Sequence, residues 1–387
     1  MSTAISFLSG KGGSGKTTLA LGVADLLWRC EVKTLLVDCD LSTNGATYFY
    51  ESLLTTQDEI GQPALLSFNG LISGDNNNEE WAPIKIGEGL DFIPSILNIS
   101  DHQQKEDHPS NNYAQNLHNF IKWAKENYEA ILFDCQAGYV EFFQVLLPLM
   151  DVDLFVMEAD SISAAAVRSL HLKIGNFLGR AHIYQVFNKA TPEEFDIYSK
   201  IVGTFFTNIG TLLFDWKIRQ AFSRSQIPDI GCVSAQYSFD LCNICKIILP
   251  RSDTKRKIES VSIQLRYRHL MEEREQTVEK LEEFADAGTP FWKELLKGIG
   301  ALVGMLASLA SILLLLINID SFDMNYVVLG ALSVLGLATI FMGMTFLSLT
   351  ERNNSPNEDR QKYEHNLRKI DKELENISQL QRQLKSE

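Results

Sequence analysis

Ser9-Gly10-Lys11-Gly12-Gly13-Ser14-Gly15-Lys16-Thr17-Thr18 stands between a short apolar run, Ile5-Ser6-Phe7-Leu8, and a helical pattern, Leu19-Ala20-Leu21-Gly22-Val23-Ala24. A strand feeding a glycine-rich turn into a helix is the setting of a phosphate-binding loop, and Gly10 to Thr17 carries the spacing G-x4-G-K-T. Gly10, Gly12, Gly13 and Gly15, with Ser14 and Thr18 between and after them, let backbone amides curl around an anion. The helix N-terminus behind them adds about half a positive charge. In such a loop Lys16 reaches the β- and γ-phosphates of a nucleotide, and the Thr17 hydroxyl is placed to ligate Mg2+.

Outward from the loop, residues 1–250 alternate short apolar runs with longer helical patterns, as an α/β fold with a doubly wound, mostly parallel sheet requires. The run Thr34-Leu35-Leu36-Val37-Asp38-Cys39-Asp40 reads as a buried strand ending in two carboxylates. Open α/β sheets bind ligands at the carboxyl ends of their strands, so Asp38 and Asp40 are expected on the same edge as the loop. Residues 57–112 are polar and Asn/Gly-rich and read as loops around one strand, Leu90-Asp91-Phe92-Ile93-Pro94. A helix from about Tyr113 to Asn127 leads into Ala130-Ile131-Leu132-Phe133-Asp134, an apolar strand ending in Asp. That is the Walker B arrangement, whose carboxylate holds the Mg2+ shell. Two further strands are expected at Asp153–Met157 and His182–Phe187, the second followed by Asn188-Lys189.

Lys11–Thr18, the Val37–Asp40 strand end, Phe133-Asp134-x-x-Ala137-Gly138 and Phe187-Asn188-Lys189 together resemble the ParA/MinD ATPases. Residues 211–221, followed by Ile227-Pro228, also look like that family's late region, so the resemblance covers roughly residues 3–235. It implies ATP and Mg2+ as ligands and a nucleotide-sandwich homodimer, in which Lys11 of one subunit reaches the phosphates held by the other. It further implies that Asp40 positions the attacking water, that Asp38 and Asp134 support the metal, and that Asn188 reads the adenine edge. A second cation at the phosphates would offset charge that builds as the γ-phosphate leaves. One departure stands out: Gln136 occupies a position where the family usually has proline, which bears on how that loop moves and how fast the nucleotide turns over.

The formal charge of −14, from 49 acidic and 35 basic residues, argues against a nucleic-acid partner. Cys30, Cys39, Cys135, Cys232, Cys242 and Cys245 are scattered rather than framed, as expected for thiols in a reducing cytosol. Cys242-Asn243-Ile244-Cys245 has the spacing with which some relatives clamp zinc between subunits, yet it also lies on an apolar helical stripe with Phe239, Leu241, Ile248 and Leu249. The histidines show no metal-ligand or triad spacing. No signal peptide is expected, since no charged segment precedes an apolar one at the N-terminus.

The C-terminal part reads differently. Residues 298–319 and 327–349 are two uncharged apolar runs, each long enough to cross a hydrocarbon core as a helix. Asp320–Asn325 between them has no Lys or Arg, while Lys293, Lys297 and Arg352 flank the pair. By the positive-inside rule, both termini are expected in the cytoplasm, with the chain held as a two-pass hairpin in the cytoplasmic membrane. Gly300 and Gly304 form a G-x-x-x-G face suited to close helix contact. Tyr363, Leu367, Ile370, Leu374, Ile377 and Leu384, with Gln381 filling a gap, trace a heptad seam. Ile258, Val261, Leu265, Val278, Leu281 and Phe284 form a looser stripe that Gly288-Thr289-Pro290 ends. The flanks pair either with each other as a stalk or with their copies in another subunit.

The expected organisation is therefore an ATPase domain (1–250), a charged helical stalk (251–297), the hairpin (298–349) and a coiled-coil helix (350–387). The expected function is a membrane-anchored ATPase switch acting on a protein partner that the sequence does not name. The alternatives are a nucleotide-binding membrane scaffold with little hydrolysis, or a bacterial-type tyrosine kinase. Against the kinase, its membrane region precedes the ATPase, it lacks the Lys11-type lysine, and its tail carries a tyrosine cluster where this tail has only Tyr363.

Overall fold

The computed structural model describes residues 2–50, 66–73, 81–97, 112–179, 181–190, 206–224, 233–287 and 360–382, together with residues 194, 197, 200, 226 and 230. In chain order the elements are β1 (Thr3–Leu8), α1 (Lys16–Arg29), β2 (Thr34–Cys39), α2 (Gly45–Phe49), α3 (Phe68–Ser73), β3 (Ile84–Gly87) and β4 (Leu90–Ile93). There follow α4 (Tyr113–Asn127), β5 (Ala130–Cys135), α5 (Phe143–Leu146), β6 (Val152–Glu158), α6 (Ser161–Ile174), β7 (His182–Ala190) and β8 (Thr207–Leu213). The helices α7 (Trp216–Ser223), α8 (Ala235–Ile248), α9 (Ser252–Ala287) and α10 (360–382) complete the series.

The strands form one sheet in the order β3-β4-β2-β5-β1-β6-β7-β8, parallel throughout except for the β3–β4 pair. β1, β2 and β5 are buried along their whole length, which explains why they read as unbroken apolar runs rather than alternating ones. Parallel pairing aligns the carboxyl ends of β1, β2, β5, β6 and β7 on one edge. On one face α1, α8 and the start of α9 bury Leu19, Val23, Leu27, Leu241, Ile244 and Ile258 against the sheet. On the other, α3, α4 and α6 cover it with Phe68, Phe120, Val167 and Leu170. Each fully buried side chain of this size is worth roughly 1.5–3 kcal/mol.

The strand expected at residues 90–94 is β4. β3 beside it, a four-residue antiparallel edge strand, and α3 fall in the stretch the sequence reads as loops. Of the apolar stripe on α8, Leu241, Cys242, Cys245 and Ile248 are fully buried while Phe239 is exposed. Burial pushes the Cys242 thiol up to about 11. Among the described residues no group of three or more His, Cys, Asp or Glu stands ready to hold a metal ion, and within this chain the pair is buried in the hydrophobic core.

The chain divides into two compact units, Met1–Arg266 and Tyr267–Glu387. In the first unit, Ile258, Val261 and Leu265 of α9 still pack on the sheet's helical cover, so the core extends past residue 250. In the second, the later part of α9 and α10 run antiparallel. Arg274 pairs with Asp371 at 2.7 Å, and Lys280 lies 5.4 Å from the centre of the Tyr363 ring, so partners fall in number as α9 rises. Leu270, Ile370, Leu374 and Ile377 are buried in this unit. Of the two arrangements open to the flanks, the fold has the stalk within one chain. Among the described residues no helix is long and apolar enough to cross a membrane; the runs 298–319 and 327–349 lie outside them.

Candidate functional site

The loop between β1 and α1 has the shape its glycines permit. Gly13 and Gly15 have φ of 83° and 85°, values that L side chains rarely adopt. A Cβ on Gly10 would overlap the backbone of α6 at Ala166, and one on Gly15 would overlap the Asn188 amide. The loop is gripped by the end of β7: Asn188 Nδ2 donates to the Ser14 carbonyl at 2.9 Å, and Lys189 Nζ donates to the Gly13 carbonyl at 2.6 Å. Below it, the Gly138 amide donates to the Ser9 carbonyl at 2.8 Å, tying the segment after β5 to the loop's first residue.

Lys16 opens α1 and points back into the sheet edge, where Nζ meets Asp134 Oδ1 at 3.3 Å. Burial alone would lower the Lys16 pKa, but the Asp134 and Asp40 charges outweigh it and the pKa is raised. β2 and β5 are in register, with Asp38 opposite Asp134 and Cys39 opposite Cys135. Both aspartates are fully buried, and burial pushes each carboxyl up; for Asp38 the Asp134 charge adds to the shift. Asp38 accepts from the Asp40 amide and from the Thr47 amide and hydroxyl at 2.7–3.0 Å. Asp134 Oδ2, by contrast, is buried without a hydrogen-bond partner among the described residues, and the Thr17 hydroxyl lies beside that carboxyl.

Asp40 sits one turn beyond. Burial pushes its carboxyl up, but hydrogen bonds from Ser42 and Thr43 and the Lys16 charge hold it below the ordinary range. Oδ1 accepts from the Ser42 amide and hydroxyl and the Thr43 amide, and Oδ2 from the Thr43 hydroxyl. Lys11 turns toward its own subunit, pairing with Glu158 at 3.0 Å and Asp160 at 3.2 Å. The Glu158 hydrogen bond is the chief cause of its raised pKa. Asp160 also caps α6, accepting from the Ser163 amide at 2.7 Å.

Every residue expected at the site from sequence is therefore on one sheet edge. Two differ from expectation in posture: Asn188 is buried and spends its amide on Ser14, and Lys11 is held in cis. Sequence reasoning missed Glu158, Asp160, Ser42, Thr43 and Lys189; only the strand-end position of Glu158 and Lys189 hinted at them. A cavity of 380 Å3 opens beside the loop between Thr18, Asn188, Lys189, Leu213, Asp215 and Phe222.

The residues suit a nucleotide with magnesium. Two stacked buried carboxylates beside one lysine leave negative charge for a divalent cation to relieve, and the orphaned Asp134 Oδ2 next to Thr17 offers it an oxygen. Ser14 Oγ, inside the loop, is likewise buried without a hydrogen-bond partner among the described residues.

A glycine-lined loop entering a helix, a lysine reaching back from it and strand-end aspartates on a parallel sheet define a P-loop α/β domain. Residues 2–182 match the family model described as an AAA domain. An uncharacterized protein of Methanocaldococcus jannaschii is 32% identical over 166 residues, which are 42% of this chain and 62% of that one; the chain thus spans under two thirds of that relative's length. An uncharacterized ATP-binding protein of the same organism is 24% identical over 205 residues, covering 53% of this chain and 70% of that one. Among solved structures, a Borrelia burgdorferi B31 protein described as a plasmid partition protein, bound to AMPPNP, matches with a TM-score of 0.53. It is 19% identical and covers 65% of this chain and 99% of its own, which shows a shared fold.

Proposed function

We propose that this chain is a ParA/MinD-type ATPase switch that binds Mg-ATP between two copies of itself and hydrolyses it slowly. The observation carrying this reading is the convergence of Lys16, Asp134, Asp38 and Asp40 behind a glycine loop closed by Asn188 and Lys189. Gly10, Gly12, Gly13, Ser14, Gly15, Lys16, Thr17 and Thr18 would hold the phosphates. Thr17 and Asp134 would hold the metal, with Asp38 behind them, and magnesium would supply charge compensation at the phosphates. The cavity beside Thr18 and Asn188 has the volume for the base. Lys11 would leave Glu158 and Asp160 to reach the phosphates of the second subunit. The runs 298–319 and 327–349 would anchor the dimer in the cytoplasmic membrane as a hairpin, with both termini in the cytoplasm, where it would act on a protein partner rather than on nucleic acid.

Phosphate release from wild type, Lys16→Ala and Asp40→Ala tests the enzymatic half. Wild type should exceed both variants, and equal rates in all three would remove it. Fractionation with and without residues 298–349 tests the anchor, which fails if the full chain stays in the supernatant. A nucleotide-binding scaffold with little hydrolysis is the second reading. It draws on Asp40, whose two oxygens already accept hydrogen bonds from Ser42 and Thr43.

A further inference from the structure

Glu158 stands between two ammonium groups. Lys11 Nζ is 3.0 Å away on one side, and Lys189 Nζ 2.9 Å away on the other. Each lysine has a second acceptor: Asp160 for Lys11 at 3.2 Å, and the Gly13 carbonyl for Lys189 at 2.6 Å. Lys189 takes up this position with φ of 57°, a left-handed conformation uncommon for a residue with a side chain. It also lines the cavity beside Thr18. One side chain thus touches the loop, the cavity and the carboxylate that restrains Lys11.

We propose that Lys189 is a positioning residue that couples nucleotide entry into this cavity to the release of Lys11, with Glu158 as the shared counter-charge. The inference rests on the ATPase reading above. When Lys11 leaves for a second subunit, Glu158 loses one cation beside a site that has just gained a polyanion. Lys189 keeps that carboxylate compensated, so departure of Lys11 costs less than it would from an otherwise unpaired Glu158. Without Lys189, Lys11 becomes the sole cation on Glu158 and is held harder. Without the Glu158 charge, Lys11 keeps only Asp160 and is held less. The two substitutions must therefore act in opposite directions, which a merely structural role for either residue does not produce.

The test is sedimentation of the full chain in detergent across an ATP titration, with affinity for a fluorescent ATP analogue measured alongside. Both Lys11 and Glu158 are about one third to one quarter exposed, so each effect should be modest. Lys189→Met should raise the ATP concentration for half-dimerisation, and Glu158→Gln lower it, each by roughly two- to fivefold at low salt and less at high salt. The double variant should dimerise like Glu158→Gln alone, because Lys189 acts through that carboxylate. Shifts in the same direction, or an unchanged midpoint in Glu158→Gln while wild type dimerises normally, would overturn the coupling and leave the ATPase reading standing. A wild-type chain that binds no ATP analogue would overturn both.

Discussion

Replacing Lys16 by Met leaves the aliphatic stem in place and deletes the one buried ammonium at this sheet edge among the described residues. Its partners are Asp134 at 3.3 Å and, through charge, Asp40, with Asp38 stacked on Asp134 in the next strand. Removing one member of a buried pair costs about 3–5 kcal/mol when the other stays charged. Here the carboxylates have an escape, since burial already pushes Asp134 and Asp38 upward and a proton can replace the lost cation. The sign follows. A carboxyl whose folded pKa lies above its unfolded value is favourable while protonated and loses that advantage as pH rises through the interval. Lys16→Met widens the interval, so its deficit against wild type should be small near pH 5.5 and grow toward pH 8. Each pH unit by which the interval widens adds about 1.4 kcal/mol to the deficit. Urea unfolding at the two pH values, without nucleotide, measures it. A deficit of equal size at both would refute the claim that Lys16 offsets the charge of the strand-end aspartates.

Gly15→Ala should cost roughly 1–3 kcal/mol from the left-handed backbone and should displace Asn188, abolishing nucleotide binding; retained affinity for a fluorescent ATP analogue would contradict this. Asp153, buried in β6 and held by the Ser6 hydroxyl at 2.5 Å, has its carboxyl pushed up to about 7 by burial. It therefore weakens the fold as pH rises from about 4 to 7, by at most about 4 kcal/mol, and Asp153→Asn should flatten that part of the stability profile in pH-dependent denaturation. Ile370→Ala in α10 should cost roughly 2 kcal/mol and appear as an earlier transition in the far-ultraviolet circular dichroism melt, with nucleotide binding unaltered.

The loop and the strand-end aspartates were legible because each is a local pattern: an unbroken apolar run, then a carboxylate or a glycine turn, within ten residues. β3 was not, since Ile84-Lys85-Ile86-Gly87 is a four-residue, half-exposed edge strand with too few positions to show a period. Ser6 and Asp153 were invisible as a pair because their contact spans 147 positions and depends on which strands become neighbours. The same holds for Lys11 with Glu158 and Asp160: the lysine is recognisable from its loop, but its resting partners emerge only when β6 is laid beside β1. Lys189 stands out in the sequence only through the asparagine preceding it, and its contact with Gly13 belongs to a backbone twist that no composition reveals. The heptad seam of α10 was plain from spacing, whereas its choice of partner was not: the same seam fits a neighbour in the chain or a copy of itself.

That choice has a consequence for how such a chain is built. Because α9 and α10 lie antiparallel, the polypeptide departs and returns at one end of their pairing, so residues 288–359 amount to a detour rather than a bridge. A detour can be exchanged, shortened or lengthened at modest entropic cost, since closure grows only with the logarithm of its length. A graft between α9 and α10 is therefore the natural place to give the chain another insert.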